Sequence, residues 1–456
     1  MTPQDLIAAF ETLAEAPNGV PRLRELVLQL AVRGQLVPKD PNDEPASVLL
    51  DRIAKEKSRL VKEGKIRKPK PLPPVTKNEV PFDVPDGWSS CRFQDVHRKL
   101  GAGSTPLGGR QVYVDDGFLF LRSQNVWNDG LRLKDAARIS SAIHQKMEET
   151  IVRRDDVLLN ITGASIARAA VVPADFDEAN VSQHVAILRQ VEPCMNRWVH
   201  LFLISPYGNS CIMNVQVGIS RAGLSMNRLR EFVLPVPPLA EQHRIVAKVD
   251  ELMGLLDRLD AARTAREHAR IALRDAALTA LQEADTHDEV EVAWNRIAER
   301  MDDLFTDPAD IDPLRQTVLQ LAVRGRLVPQ DPDDEPASVL LERIAKEKAR
   351  LVKVGKIRKA KALAPVTKDE FPFAVPEGWA WSRFGTVTES RLGKMLDKAK
   401  NTGKQRRYLR NANVQWFEYV LDDVKQLRLE DHELAECSLA AGDLVICEGG
   451  EPGRTA

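Results

Sequence analysis

The chain carries one long segment twice, and this repeat limits the folds that it can adopt. The first copy begins LRELVLQLAVRGQLV at Leu23, and the second begins LRQTVLQLAVRGRLV at Leu314. Both continue without a gap to a shared signature, which ends at Trp88 as VPDGW and at Trp379 as VPEGW. Solenoid repeats recur at a much shorter period. The pattern therefore predicts two similar local structures that frame two stretches of unlike sequence.

The stretches that follow the two copies differ from each other. The first, residues 96–237, has short apolar runs at Gly117–Leu121, Asp156–Leu159 and His184–Leu188, separated by polar loops that contain glycine. Such runs are typical of β-strands. The second stretch begins at Val387 and shares little of this sequence. A common frame around unlike inserts suits a protein whose two domains recognise two different things.

Helical periodicity dominates the rest of the chain. We expect helices over Leu6–Leu13 and Leu23–Val32, and another that begins at Ala46. Residues 241–282 contain no proline and a single glycine, Gly254, and their apolar residues step by four and three as in a coiled-coil seam. The spacing predicts one helix of about 40 residues, roughly 60 Å long. The alternative is a broken helix that folds back on itself, which Gly254 and the alanine-rich stretch Ala261–Ala280 leave open.

Composition narrows the class of protein. The chain has 456 residues, enough for two or three domains, and a net charge of −1 that by itself points to no partner. The five cysteines lie far apart and form no CxxC pair, which argues against disulfides and structural zinc. No apolar run is as long as a membrane span and no signal peptide is evident, so we expect a cytoplasmic protein with no membrane partner.

Positive charge is concentrated in the repeated segment. Residues Arg52 to Lys77 include ten lysines and arginines against Glu56 and Glu63 only, and the second copy carries the same pattern over Arg343–Lys368. Such segments could contact DNA phosphates. They could equally face an acidic protein partner, and the sequence leaves both possibilities open.

Several motifs in a fixed order carry a resemblance to a known family. The VPDGW and VPEGW signatures open the two unlike domains, and PPLAEQHRIVAKVDEL (Pro237–Leu252) closes the first and leads into the predicted long helix. FLRSQNV, LLNITGASIARAA and NVSQHVAILR lie within the first domain, and YLRNANVQW and GDLVICEGGEPGR within the second. Over essentially its whole length the chain resembles the specificity subunit of type I restriction–modification enzymes.

The resemblance implies an α+β fold with an internal pseudo-symmetric repeat. Mixed α/β target-recognition domains would be separated by long antiparallel helices of the coiled-coil type. The expected division is a helical segment with a basic linker at 1–85, a first target-recognition domain at 86–238, a spacer helix at 239–284, a second helical segment and linker at 285–376, and an incomplete second target-recognition domain at 377–456.

The resemblance also implies a non-catalytic function. A specificity subunit reads a bipartite site on double-stranded DNA and positions methyltransferase subunits and restriction (translocase) subunits. It needs no cofactor of its own, because S-adenosylmethionine, ATP and Mg would be bound by those partners. The sequence contains neither the Asn/Asp-Pro-Pro-aromatic loop with which an adenine methyltransferase holds a flipped base nor a GxxxxGK[ST] phosphate loop. A stand-alone DNA-binding regulator and a coiled-coil scaffold are the alternative functions.

Candidate DNA-contacting side chains are polar groups that follow a predicted strand or lie in a polar loop. In the first domain they are Arg110, Arg122, Gln124, Asn125, Asn160, Thr162, Ser165, Gln183 and Arg221. In the second domain they are Lys394, Arg406, Arg407, Arg410, Asn411 and Asn413. The runs RSQN and RNAN share their Arg and Asn although the two domains would read different bases. Formation of a turn or contact with phosphate is therefore the alternative role for the shared residues.

One position departs from the family pattern. The loop GASIAR has Ala167 where members of the family tend to have glycine. We expect that this difference could alter the turn locally, because glycine often supplies a backbone conformation that other residues avoid.

Overall fold

The computed structural model describes residues 9–215, 223–359, 361–394 and 401–456. The chain divides into two compact units, unit 1 (Met1–Ala269) and unit 2 (Arg270–Ala456). The boundary falls inside a long helix, α8 (Leu239–Glu283). Each unit has a hydrophobic core of its own.

Unit 1 begins with helices α1 (Phe10–Glu15), α2 (Gly19–Val32) and α3 (Ala46–Lys62). The helices predicted over 23–32 and from Ala46 are confirmed. Of the helix predicted over Leu6–Leu13, residues 10–13 belong to α1 and residues 6–8 lie outside the described residues. Apolar residues at helical spacing place one face of each helix in a common core. The buried residues of α2 and α3 include Val20, Leu23, Val27, Ala31, Leu49 and Ile53.

The strands of unit 1 follow the helices. They are β1 (Ser89–Arg92), β2 (His97–Ala102), β3 (Tyr113–Leu121), β4 (Val126–Trp127), β5 (Gly130–Leu131), β6 (Ala137–Ile139), β7 (Ile151–Val152), β8 (Val157–Asn160), β9 (Ala169–Val171), β10 (Ala179–Val181), β11 (Val185–Gln190) and β12 (Val233–Val236). Helices α4 (Ser141–Lys146), α5 (Asn196–Ile204), α6 (Pro206–Asn214) and α7 (Met226–Glu231) lie between them. The three predicted apolar runs correspond to β3, β8 and β11.

Two four-stranded sheets formed by the described residues pack face to face. One has the order β6-β3-β10-β7 and the other β2-β11-β8-β9. Successive residues of a strand point to opposite faces, and β8 shows the result. Leu158 contributes to the core between the sheets, while Val157 and Leu159 contribute to the core shared with the helices. The second sheet is therefore the middle layer, buried on both sides.

The ends of this sheet domain are held together by a clasp. Strand β1 pairs antiparallel with β12, so that Ser89 lies opposite Val236. Beside this pair, Trp88 Nε1 donates a buried hydrogen bond to Glu241 Oε2 at 3.0 Å. We call the β1–β12 pair and the Trp88–Glu241 bond the clasp. The VPDGW and PPLAEQ motifs meet here, so the sequence between them can vary while both ends stay fixed.

Helix α8 runs without a break over 45 residues. The prediction of one long helix is confirmed, and the alternative of a break at Gly254 is wrong. The predicted seam residues pack into the same core as α2: Ile245, Val249, Leu252 and Leu256 are buried, and Leu259 is partly buried against that core. Of the helices that the described residues form, none combines the length and the apolar composition needed to cross a membrane.

Unit 2 contains a second set of helices and strands. The helices are α9 (His287–Ala298), α10 (Met301–Leu304), α11 (Ile311–Val323), α12 (Ala337–Lys353), α13 (Phe384–Val387) and α14 (Leu434–Cys437). The strands are β13 (Lys404–Tyr408), β14 (Val414–Gln415), β15 (Glu418–Tyr419) and β16 (Lys425–Leu429), with β13 paired to β16 and β14 to β15. Asp310 accepts hydrogen bonds from Arg270 and Arg274 of α8 and so ties α8 to the segment that precedes α11.

The second copy of the repeat has the same local structure as the first. Helices α11 and α12 occupy the repeat positions of α2 and α3. The hydrogen bond from Arg92 lowers the pKa of Glu79 to about 2, and Arg383 does the same for Glu370. Shared sequence therefore produces shared local contacts.

Burial differs between the two copies. Leu49 in α3 is 1% exposed, whereas the equivalent Leu340 in α12 is 46% exposed, and Trp88 is 7% exposed against 44% for Trp379. In unit 1 both residues belong to a core that also contains residues of α5 and α8. No element takes that place among the described residues of unit 2. The nearly identical amphipathic helices thus differ in burial because of their surroundings and not because of their sequence.

We expect the clasp to make the stability of unit 1 depend on pH. Burial raises the pKa of Glu241 above its ordinary value of 4.5, against the hydrogen bond from Trp88, which lowers it. A carboxyl group whose pKa is higher in the folded than in the unfolded state stabilises the folded state fully below its unfolded-state pKa. This contribution to the free energy of unfolding is lost as the pH rises through the folded-state pKa. Glu241→Gln keeps an acceptor for Trp88 but cannot ionise. We expect its free energy of unfolding, relative to the unchanged chain, to rise from about pH 4 to about pH 7.

Denaturant titration of the full chain at several pH values measures this difference. Glu25→Gln, at an exposed position of α2, is the control and should show no such trend. A difference between Glu241→Gln and the unchanged chain that stays constant over the same pH range would contradict the expectation.

Candidate nucleic-acid interface

Polar segments that lie far apart in the sequence leave the sheets of unit 1 side by side. Strands β3 and β10 are parallel, with Leu121 beside Val181, so residues 122–125 and 182–184 emerge together. A hydrogen bond of 2.9 Å from Ser182 N to Leu121 O fixes this juncture.

The second sheet delivers its loops to the same place. Asn160 at the end of β8 lies opposite Val185 at the start of β11, and Ala102 at the end of β2 lies opposite Ala186. Ser104 N donates to Val181 O at 3.1 Å and links this sheet to the other one. We call the combined segments 103–112, 122–125, 160–168 and 182–184 the loop edge. The structure brings the predicted DNA-contacting segments of the first domain together there.

Asn125 supports the loop edge from inside. Its Oδ1 accepts from Arg122 N at 2.9 Å, its Nδ2 donates to Arg132 O at 2.8 Å, and the side chain is buried. Asn413 makes the same two kinds of bond in unit 2. Because both polar atoms of each carboxamide are used within the fold, the geometry favours the turn-forming role for this shared pair over the reading of bases.

Asn160 leaves a polar atom without a partner. Its Nδ2 donates to Ser123 O at 2.8 Å and to Ser165 Oγ at 3.2 Å. Its buried Oδ1, like the buried Oγ of Ser182, has no hydrogen-bond partner among the described residues. A buried polar atom left unpaired costs about 1–3 kcal/mol, so these two atoms mark a place where a donor from a ligand would stabilise the fold.

The loop edge also presents side chains that the fold does not use. Gln124 and Gln183 are exposed and make no side-chain hydrogen bond among the described residues. Arg122 is half-buried, and its guanidinium lies 5.9 Å from the centre of the Tyr113 ring. Thr162 Oγ1, in contrast, is paired with His184 Nδ1 at 2.6 Å. The two glutamines are therefore the best placed of the predicted residues to meet base edges.

Sequence reasoning missed a stacked pair at this edge. The guanidinium of Arg168 lies 3.8 Å from the centre of the Trp127 ring, and Trp127 Nε1 donates to Gln124 O at 2.9 Å. A guanidinium stacked on an indole keeps its charge and its planar set of donors in a fixed place. Arg168 belongs to a motif that the sequence analysis had noticed, but no sequence pattern placed it next to Trp127.

The turn that contains Ala167 keeps its geometry without glycine. Ala167 has a φ of +70°, and the corresponding Gly453 in unit 2 has a φ of +89°. The backbone bonds also correspond, since Ala167 N donates to Asn160 O and Gly453 N to Cys447 O, both at 2.9 Å. Alanine is thus held in the left-handed region that glycine usually occupies.

The predicted residues of unit 2 are mostly paired within the protein. Three cations contact carboxylates: Arg406 contacts Asp431, Arg410 contacts Asp423 and Lys394 contacts Glu433. Asn411 Nδ2 donates to Gly449 O at 2.6 Å. Arg407 is exposed and has no partner among the described residues, which makes it the most available of these groups for a phosphate.

Arg110 and Arg221 are the two predicted residues that remain. Arg110 belongs to the turn Gly109–Val112 at the loop edge, and Arg221 lies outside the described residues.

In the first basic segment, Arg59 pairs with Glu56 and Glu63, and Lys57 donates to backbone carbonyls. Part of the positive charge in this segment is therefore used locally.

Comparison with known proteins identifies the family. A family model described as the type I restriction modification DNA specificity domain matches residues 85–265. The type I restriction enzyme EcoAI specificity subunit of Escherichia coli is 36% identical over 420 residues, which cover 87% of this chain and 67% of that protein. The chain belongs to the type I restriction enzyme specificity subunits. The EcoEI specificity subunit of E. coli is 38% identical over 382 residues, 81% of this chain and 62% of that protein.

The specificity subunit spans about two thirds of the length of these curated relatives. A chain from a solved structure of a type I R-M system is also similar, with 18% identity and a TM-score of 0.34, and the match covers 59% of this chain and 55% of that one. The residues matched by the family model, 85–265, include both the loop edge and the clasp.

Asn125 and Gln124 are adjacent amides with opposite expected roles in this specificity subunit. Asn125→Ala removes two part-buried hydrogen bonds, with Arg122 N and Arg132 O, so we expect unit 1 to lose about 1–3 kcal/mol of unfolding free energy. Gln124→Ala removes an exposed side chain and should leave that free energy unchanged. Denaturant unfolding of both variants measures the difference, and equal stability of the two would refute the structural role of Asn125.

Proposed function

We propose that this chain is the sequence-specific DNA-binding subunit of a type I restriction–modification complex and has no catalytic activity of its own. The observation that carries the proposal is the loop edge, where separate polar loops converge on rigid strands in a chain of the specificity-subunit family. Rigid support matters because base reading requires donors and acceptors held in register with the edges of the bases.

The loop edge supplies distinct groups for phosphate and for bases. Arg168, stacked on Trp127, provides a fixed positive charge for a phosphate of the DNA backbone. Gln124 and Gln183 each offer a donor and an acceptor, the pair that matches adenine in the major groove. The unpaired oxygens of Asn160 and Ser182 would accept from donors that approach between the loops.

The family supports a set of partners. We propose that methyltransferase subunits and restriction subunits bind this chain on DNA, and that S-adenosylmethionine, ATP and Mg are bound by those partners. In such an assembly this chain contributes the choice of site, and the partners contribute adenine methylation and ATP-dependent cleavage. We expect the complex to act in the cytoplasm, where the DNA is.

The structure favours this function over the alternatives. A coiled-coil scaffold would present the seam of its long helix to a partner, but the seam residues of α8, such as Ile245 and Leu256, are buried within unit 1 itself. A stand-alone regulator would bind its site with full affinity when alone. We instead expect full affinity only in the presence of methyltransferase subunits, a difference that gel-shift titration with and without them measures.

The two free glutamines should determine part of the target. We expect Gln124→Ala/Gln183→Ala to relax one half of a bipartite methylation pattern, because a lost two-point contact removes about 1–3 kcal/mol of discrimination against the wrong base. Sequencing of methylated adenines, in cells that express the chain with its methyltransferase subunits, measures the pattern. Arg98→Ala, at an exposed arginine of β2 outside the loop edge, is the control. An unchanged pattern in the double variant would exclude base reading by these residues.

We expect Arg168 to contribute equally to the binding of all DNA sequences. Arg168→Ala is expected to weaken binding about equally on target and non-target DNA and to lower the slope of log affinity against log salt by about one. Arg168→Lys keeps the charge but loses the planar stack on Trp127, so only part of the affinity should return. Titrations of duplex DNA at several salt concentrations provide the slopes. A selective loss on target DNA would instead assign Arg168 to base reading.

A further inference from the structure

The two units carry the same β-hairpin after the same turn. In unit 1, β4 and β5 pair with Val126 opposite Leu131, and in unit 2, β14 and β15 pair with Val414 opposite Tyr419. Asn125 and Asn413 fix the two hairpins through matching hydrogen bonds. Each hairpin encloses a two-residue loop, formed by residues 128–129 in unit 1 and 416–417 in unit 2. The matched strand pairs therefore carry two different loops, whose backbones also differ, since the positive φ falls at Phe417 in unit 2 and at Gly130 in unit 1.

The two loops have opposite chemistry. The loop of unit 1 is Asn128-Asp129, whereas the loop of unit 2 is Trp416-Phe417, with side chains 57% and 79% exposed. Asn128 and Asp129 are exposed as well, although Asn128 Oδ1 accepts a hydrogen bond from Ala169 N of β9 at 3.1 Å. The residues at this loop position are therefore exposed in both units, and in unit 2 they are two aromatic residues.

Phe417 is held in a conformation that its side chain disfavours. Its φ is +66°, in the left-handed region where bulky residues are rare and Asn, Asp and Gly are common. Its backbone is held there by a 3.0 Å hydrogen bond from Phe417 N to Thr455 O. An exposed ring in a strained loop adds nothing to the core of unit 2. Strain of this kind is typical of a position that serves a contact.

A second difference accompanies the loops. Arg454 corresponds to Arg168, since Cys447 N donates to Arg454 O as Asn160 N does to Arg168 O, both at 2.8 Å. Arg168 lies on Trp127, but Arg454 instead donates to Asn411 O and pairs with Glu451, both at 2.6 Å. Unit 1 thus presents a guanidinium beside its hairpin, and unit 2 presents bare rings.

We propose that Trp416 and Phe417 form an apolar wedge that enters the base stack of the half-site bound by unit 2. The inference rests on the proposed function, because it concerns how unit 2 of the same DNA-binding chain discriminates among DNA sequences. Double-stranded DNA is the occupant that two observations favour. Strand β13, which precedes the hairpin, carries the exposed Arg407, whereas Lys404 and Arg406 pair with Asp431. In unit 1 the same hairpin holds Trp127, on which Arg168 stacks, the group proposed above to contact phosphate.

A wedge selects sequence through deformation. Apolar side chains inserted between base pairs unstack and kink the duplex, and pyrimidine–purine steps yield most easily. Unit 2 would then prefer half-sites with such a step at the position of the rings, whereas unit 1 reads through hydrogen bonds. The same frame would in this way serve two unlike half-sites.

Grafting the loop of unit 1 onto unit 2 tests the wedge. Trp416→Asn/Phe417→Asp installs residues that this hairpin frame already carries in unit 1 and that tolerate a positive φ. Thermal unfolding should therefore show a midpoint no lower than that of the unchanged chain. Leu439→Asn, which removes an exposed apolar side chain of unit 2 away from the hairpin, is the matched control.

The binding assay uses the full chain with methyltransferase subunits and a pool of duplexes with randomised positions. The unchanged chain should enrich a bipartite sequence. The half of this sequence that changes in the Gln124→Ala/Gln183→Ala variant is the half bound by unit 1. The loop graft should lose the other half, with affinity for the enriched duplex lowered about ten-fold or more. The Leu439→Asn variant should behave as the unchanged chain.

A fluorescent base analogue reports unstacking directly. With 2-aminopurine in the unit 2 half-site of the enriched duplex, emission should rise on binding of the unchanged chain and not on binding of the loop graft. If the unchanged chain enriches no sequence, the proposed function fails and this inference fails with it. If it enriches a sequence that the loop graft reads equally well, or if emission does not change, the wedge alone is wrong.

Discussion

The clasp is the constraint on which the rest of unit 1 depends. Strand β1 pairs with β12, and the buried hydrogen bond from Trp88 to Glu241 joins the start of the sheet domain to the first turn of α8. Since both ends of the insert are fixed at one point, the residues between them can form an independent layered domain. The same point fixes where α8 begins, so the domain and the long helix share one anchor.

The middle sheet holds the loop edge in place. Strands β8 and β11 are buried on both faces, and their ends near Asn160 and Val185 hold the loops that would meet DNA. Groups committed to structure, such as Asn125, lie beside groups left free, such as Gln124. Because structural and free groups are separate residues, the loop side chains can differ while the supporting hydrogen bonds stay the same, as in the hairpins of units 1 and 2.

Much of the fold could be read from local pattern, and part of the site could not. Helical spacing predicted α2, α3 and the unbroken α8, and apolar runs predicted β3, β8 and β11, because these signals depend on near neighbours in the chain. The structure also brings the polar segments of the loop edge together, and their contact with DNA stays a prediction. The contact of Arg168 with Trp127 was missed, since it joins residues far apart in sequence through the pairing of strands.

The sequence by itself determined the repeat, the identity of its helices, the motifs that place the chain in its family and the residue types available for DNA. Only the tertiary structure decided which of those residues are free. It buried Asn125 and exposed Gln124, and it left Leu340 exposed while covering its counterpart Leu49. The reason is physical: propensity and periodicity act within a few residues, whereas burial and hydrogen-bond satisfaction depend on what else the folded chain brings to the same place.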